Sequence, residues 1–266
     1  MGSKPNLEDV EKILSYKFNN KKLLEEAFTH HLSSSKRYLP NERLEIIGDS
    51  VLNLIVTKEL FFLYPNLDAG HLTHLRSDNT DNEKLARAAV KHRLHQFIIN
   101  KNLERDEHIQ VFMQEMEEYP IHSHGLVTVP KILADIVEST IGAVYIDSNC
   151  SLETVWKVFR SVLEPIIYEE MLVDHPTAKL QDICQKSKLD LRYEKESWKK
   201  DSSVSIFIEN KLVGKATYHL RKEIASNRAA KCVLDSIDTI MMDLGVVDYS
   251  NATREKNNEE EHEYSD

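Results

Sequence analysis

Cysteine is scarce in this chain: three residues in 266, Cys150, Cys184 and Cys232, set far apart. They make no C-x-x-C pair and none stands at zinc-ligand spacing from a histidine. That argues against a zinc knuckle or a disulfide framework and leaves reduced thiols as the expectation. Cys184 and Cys232 fall within apolar helical patterns, so a buried structural place is expected for both. Missing too is any apolar run near the ~20 residues that cross a bilayer. The opening MGSKPNLEDVEKIL lacks the charged-then-apolar layout of a secretory signal. The expectation is an intracellular, unprocessed protein of the nucleus and/or cytoplasm, with no membrane partner. The third shortage is positive charge: 34 Lys+Arg stand against 44 Asp+Glu, a net charge of −10. A broadly cationic nucleic-acid binder is excluded, and any phosphate contact must come from local basic patches. The acid excess lies in residues 1–171 and beyond residue 250, while residues 172–249 are near balance. An acidic first part suits a site that gathers carboxylates around metal ions.

Strand-like alternation is also scarce between Leu7 and Met171. Apolar residues recur there at three and four, as in Val10, Ile13, Leu14 and in Leu52, Leu54, Ile55, Leu60. Breakers at Leu39-Pro40-Asn41, Tyr64-Pro65-Asn66, Asp68-Ala69-Gly70 and Tyr119-Pro120 separate the segments. The region is predicted to be all-α. Residues Glu107 to Thr128, with the acidic run Glu115–Glu118 and then His122 and His124, read as a surface excursion whose histidines sit in a solvated loop.

Asp174-His175-Pro176 marks a linker, the proline forcing an extended residue before it. After it the pattern changes. A helical stretch over Thr177–Lys188 precedes extended segments at Leu191–Ser197, Val204–Glu209 and Leu212–His219, with Asn210-Lys211 as a tight turn. Helical period returns from Arg221 to Leu244. The predicted order is α-β-β-β-α, so the whole chain is an α+β multidomain protein. The expected divisions are 1–171, 174–247 and a polar, acidic, disordered tail over 248–266.

The most informative residues are carboxylates. In Asn41-Glu42-Arg43-Leu44-Glu45-Ile46-Ile47-Gly48-Asp49, the acids Glu42, Glu45 and Asp49 stand at i, i+3 and i+7, on one helical face. Like charges so stacked cost a few tenths of a kcal/mol per pair, and more where buried. Asp135 and Glu138 stand at i and i+3 in a segment otherwise apolar, among Ile132, Leu133, Ile136, Val137 and Ile141, and carboxylates there need a partner. Gly48 and Gly142 each cost about 1 kcal/mol inside a helix relative to alanine. Both lie beside these acids, as expected where two helices approach closely. If the helices face each other, Glu45, Asp49, Asp135 and Glu138 form an all-oxygen cage that suits Mg²⁺, with Mn²⁺ able to substitute. Metal-assisted attack of water on phosphorus then needs no serine, cysteine or histidine nucleophile. The competing account for Glu42-Arg43-Glu45 alone is a solvated face with intrahelical ion pairs.

N-E-R-L-E-I-I-G-D-S-V-L resembles the ribonuclease III signature, and P-K-I-L-A-D-I-V-E-S-T-I-G-A-V-Y-I-D resembles that family's second catalytic helix. Ala27-Phe28-Thr29-His30 and Gly70-His71-Leu72-Thr73-His74-Leu75-Arg76 resemble two further elements of the family in the same order. The wording is nearest to plant ribonuclease III-like and Dicer-type domains. The resemblance implies a ribonuclease III catalytic domain over 1–171, with metal-binding carboxylates at Glu45, Asp49, Asp135 and Glu138. It also implies that Glu42 and Arg76 lie near RNA and that Lys131 contacts the scissile phosphate. The expected activity is an endoribonuclease cutting double-stranded RNA as a homodimer, one strand per subunit, leaving short 3′ overhangs. No small-molecule cofactor is expected. Where the family usually has an aromatic at the dimer interface, this chain has Ile46.

His175-Pro176-Thr177-Ala178-Lys179-Leu180-Gln181 and Lys222-Glu223-Ile224-Ala225-Ser226-Asn227-Arg228-Ala229-Ala230 resemble the two helices of a double-stranded-RNA-binding domain. That resemblance places RNA contacts at Gln181, Arg221 and Lys222. The domain is divergent. Of the three motif lysines only Lys222 remains, and the loop between Tyr193 and Val204 lacks the family's minor-groove element. These departures sustain a rival expectation, a catalytically silent RNA- or ribosome-associated adaptor that keeps the ribonuclease III fold. The intact carboxylates argue against it.

Overall fold

A computed structural model describes residues 5–29, 40–99 and 103–246. His30 of the A-F-T-H element and the acidic tail over 248–266 lie outside the described residues. The chain divides into two compact units, one made of residues up to Ser123 and Val129–Leu172, the other of His124–Thr128 and the chain from Val173 on.

The first unit is helical. Its elements are α1 (Glu8–Leu14), α2 (Lys21–Phe28), α3 (Pro40–Leu63), α4 (Ala69–Thr80), α5 (Asn82–Lys91), α6 (Leu103–Glu118), α7 (Lys131–Asp147) and α8 (Leu152–Phe159). The breakers act as helix starts. Pro40 opens α3, where its missing N–H would have had no intrahelical partner. The Asp68 carboxylate caps α4 by accepting from the Gly70 and His71 amides, and Asp81 caps α5 by accepting from Lys84 at 2.8 Å. At the centre runs α7. Every residue from Ile132 to Val144 is buried, and α3, α5, α2 and α8 pack around it. The expected surface excursion over 107–128 is corrected here. Residues through Glu118 form α6, whose Ile109 and Phe112 enter the core. His122 is not solvated either: its side chain is 4% exposed.

The second unit holds α9 (Pro176–Lys186), β1 (Leu191–Glu194), α10 (Trp198–Asp201), β2 (Ser203–Ile208), β3 (Lys211–Thr217), α11 (Lys222–Leu234) and α12 (Ile237–Asp243). The strands form one antiparallel sheet in the order β1-β2-β3. Val204, Ile206 and Ile208 are buried, as their alternation predicts, and Leu180 and Cys184 of α9 and Ala229, Ala230 and Val233 of α11 pack with Ile206 and Ile208. Positive φ at Glu209 and Asn210 puts the tight turn one residue earlier than expected. The last helical stretch is two helices rather than one, broken between Leu234 and Ile237. Cys184 is buried as expected, whereas Cys232 is exposed, because its position on α11 faces away from the sheet. Residues 124–128 belong to this unit. Asn227 Nδ2 donates to the Gly125 carbonyl at 2.6 Å, and Arg228 Nε donates to the Leu126 carbonyl at 2.9 Å.

Candidate metal centre

The site is built where α3 meets α7. Glu45 and Asp49 stand one turn apart on α3, and Lys131, Asp135 and Glu138 stand at matching turns of α7. The glycines let the backbones touch. A Cβ on Gly48 would lie 1.7 Å from the Glu138 carbonyl oxygen, and one on Gly142 would lie 2.2 Å from the Leu44 carbonyl oxygen. No side chain fits in either place, so the helix propensity lost at each glycine is the cost of close approach.

That approach brings three carboxylates together. Glu45, Asp135 and Glu138 each offer an oxygen within 4.8 Å of the others. Glu45 is half-buried, and Asp135 and Glu138 are only 6% and 8% exposed. Asp49 is exposed and lies outside this trio, its Oδ1 accepting from Asn53 Nδ2 at 2.8 Å. The Lys131 ammonium donates to Glu45 Oε1 at 2.8 Å and also to Asp135. One cation is thus shared by a group with a larger negative charge.

The electrostatics follow from that imbalance. Burial pushes the Glu138 carboxyl up to about 7, helped by the negative charges of Asp49, Glu45 and Asp135. Burial likewise raises Asp135, against the opposing pull of Lys131. Lys131 loses some proton affinity to burial, but its bonds to Asp135 and Glu45 outweigh this and raise it above the ordinary lysine value. All the donors are hard oxygens, two of the three carboxylates are buried without enough positive charge, and an ammonium already sits among them. That donor set fits a hard divalent cation.

The sequence that builds this site has relatives among known proteins. The profile of the ribonuclease III domain matches residues 42–149, a span holding α7, nearly all of α3 and every carboxylate of the site. Ribonuclease 3-like protein 3 of Oryza sativa subsp. japonica is 47% identical over 231 residues, which cover 86% of this chain and 77% of that protein. The chain belongs to the ribonuclease III family, a family of endoribonucleases. Endoribonuclease Dicer homolog 1 of Arabidopsis thaliana is 36% identical over 86% of this chain, a stretch that makes up only 12% of that much longer protein. The nuclease domain of ribonuclease III from Campylobacter jejuni, a solved structure, is 29% identical and covers 60% of this chain and 98% of its own, with a TM-score of 0.47.

The ribonuclease III motifs therefore have definite places. Glu42 is exposed on α3, one turn before Glu45, and its charge reaches Asp135. Arg76 is partly exposed on α4, and Ile46 is 68% exposed on α3. In the second unit Gln181 is exposed on α9, Arg221 is exposed just before α11, and Lys222 is its first residue. Glu223 is exposed in the same first turn. Arg228 donates to the Leu126 carbonyl and lies over the Tyr218 ring, 4.5 Å from its centroid, so it is engaged inside its own unit. Sequence reasoning passed over Asn53, although it stands at i+4 from Asp49, the spacing at which helical side chains meet. It also passed over the buried group of Glu83 and Arg87 on α5 with His122, which comes from a distant segment. Among the described residues no helix is long and apolar enough to cross a membrane.

Proposed function

We propose that this ribonuclease III-family chain is a divalent-metal-dependent endonuclease on double-stranded RNA, acting as a homodimer in which each subunit cuts one strand and short 3′ overhangs result. The observation that carries the proposal is the convergence of Glu45, Asp135 and Glu138 around a single ammonium, with the charge of Asp49 acting on Glu138. These four carboxylates would hold Mg²⁺, with Mn²⁺ as a substitute. Such an ion supplies Lewis acidity toward the phosphate and the attacking water.

The chain's own groups do the rest. Glu138, whose carboxyl burial lifts to about 7, would have to be ionised to serve as a ligand. Lys131, which pairs with Glu45 and Asp135 at the edge of this group, would pair with a non-bridging phosphate oxygen. Glu42 lies at the rim toward RNA, and Arg76 is assigned to the RNA backbone. A second copy is supported by an apolar stripe along α3, where Ile46, Leu54 and Phe61 are 68%, 54% and 62% exposed and share a helical face. The second unit is proposed to be a divergent double-stranded-RNA-binding domain using Gln181, Arg221 and Lys222. Its affinity is reduced by Glu223 facing the same phosphates. The nucleus or cytoplasm is the proposed compartment.

The test is cleavage of a labelled, long perfect duplex RNA with Mg²⁺, beside an Asp49→Ala/Glu138→Ala double variant. Cutting by the native chain alone supports the proposal. Absence of cutting at low salt, by a dimer confirmed in solution, overturns it in favour of an RNA- or ribosome-associated adaptor.

A further inference from the structure

One turn beyond Asp49, and unused by the chemistry above, stands Asn53. Its amide nitrogen carries two hydrogens, and both have acceptors on Asp49. Nδ2 lies 2.9 Å from the Asp49 carbonyl oxygen and 2.8 Å from Asp49 Oδ1. Its Oδ1 lies 3.3 Å from the hydroxyl of Thr80, the last residue of α4. That hydroxyl is also 2.9 Å from the Arg76 carbonyl oxygen, and its single hydrogen serves one acceptor at a time. The Asp49 carboxylate therefore has one oxygen engaged, and Oδ2 has no hydrogen bond among the described residues.

This matters because Asp49 differs from its three companions. Asp135 and Glu138 are held by burial in the core, and Glu45 is held by Lys131, but Asp49 is exposed. An exposed carboxylate on a helix has several rotamers, and a cation that recruits it must freeze them. A hydrogen bond that freezes them beforehand removes that cost from binding, which is how groups behind the direct ligands tune metal affinity. We propose that Asn53 is a positioning residue of the metal centre, engaging Asp49 through Oδ1 and limiting its rotamers so that Oδ2 stays available as a ligand, with Thr80 as a weaker prop from α4. The proposal rests on Asp49 being a ligand, as argued above.

The test uses the full chain and manganese alone, read by electron paramagnetic resonance, together with thermal melting in chelator. Asn53→Ala should weaken Mn²⁺ binding about 10-fold, with a melting temperature close to native. Thr80→Val should weaken it by only about 2–3-fold, since it removes a shared and longer hydrogen bond. In cleavage of duplex RNA, Asn53→Ala should raise the Mg²⁺ needed for half-maximal rate by the same factor, while the rate at saturating Mg²⁺ stays within about threefold. A merely structural role would not produce that split. Asn53→Gln keeps the donor on a longer arm and should recover most of the Mn²⁺ affinity. If it does not, or if Asn53→Ala binds Mn²⁺ as the native chain does while Asp49→Ala does not, Asn53 has no positioning role. If the native chain binds no Mn²⁺, or Asp49→Ala binds it undiminished, the assignment of Asp49 as a ligand fails and this proposal falls with it.

Discussion

Two groups of buried charge lie within the first unit, and they are built in opposite ways. Glu83, which is 4% exposed, has both of its carboxylate oxygens engaged. Arg87 donates to Glu83 through Nε and Nη2 at 2.8 and 2.7 Å, and Ser123 donates through its amide and hydroxyl at 2.7 and 2.6 Å. His122 stands between Asp81, at 3.0 Å, and Glu83, at 3.8 Å. Around Glu138 the acids outnumber the one ammonium, and burial lifts two carboxyls instead of pairing them. A paired buried carboxylate belongs to the architecture, whereas an under-compensated one signals a charge still to be supplied. Substitutions should therefore act oppositely in the two places.

The largest effect is expected at Glu138→Gln. Removing a ligand takes away several kcal/mol of charge stabilisation, so cleavage should fall by about 10³-fold or more. Yet the metal-free protein should become more stable. The folded carboxyl holds its proton up to about 7 against an ordinary 4.5, so native stability declines as pH rises through that window and stays low above it. Glutamine carries no such penalty. Melting in chelator should show little difference from native below pH 4.5 and a gain on the order of 2 kcal/mol at pH 8. A gain independent of pH would mean that the Glu138 carboxyl titrates alike in the folded and the unfolded chain.

Next in size is Arg87→Met, which keeps the stem and deletes the charge. It strands Glu83 in the interior without its cation, for which about 3–5 kcal/mol of lost stability is expected in urea titrations. Mn²⁺ affinity of the folded protein should hardly change. The comparison breaks if Arg87→Met proves mild, or if it weakens cation binding as strongly as Glu138→Gln.

The sequence was a good guide to one group and a poor one to the other, for a physical reason. The meeting of Glu45, Asp135 and Glu138 and the close approach at both glycines were legible because helical period alone decides which residues share a face, and a glycine among aliphatics marks a close approach; Asp49, expected with them, lies outside the trio. The network around Glu83 was not. Its i, i+4 partner Arg87 looks the same in sequence whether exposed or buried, and Ser123 and His122 arrive from about 40 residues away. For the same reason α6 read as a surface excursion. Its acidic run hides a short apolar face, of which Ile109 and Phe112 are the buried part. The place of 124–128 in the second unit rests on Asn227 and Arg228, about 100 residues distant, and no local pattern announces it.

The smallest effect, and the sharpest contrast in sign, is expected at His122→Gln. Three acids face this imidazole: Asp81 at the start of α5, Glu83 within α5 and Asp78 on α4, with Arg87 answering Glu83 from behind and His74 close to Asp78. Burial alone would lower its proton affinity, but the bond to Asp81 and the charges of Glu83, Asp81 and Asp78 prevail and raise it above 6.5. A histidine raised in the fold contributes stability that is fully present below 6.5 and fades as pH climbs through the folded value. Glutamine can keep a hydrogen bond there but not the charge. The variant should lose about 1 kcal/mol at pH 5.5 and less at pH 8.5, a loss that shrinks as pH rises where Glu138→Gln shows a gain that grows. Melting curves of both variants across the same buffers decide it. A gain in both variants would mean that the two groups share one electrostatic origin, and a loss at His122 beside a gain at Glu138 that one completes its charge from within while the other awaits a cation.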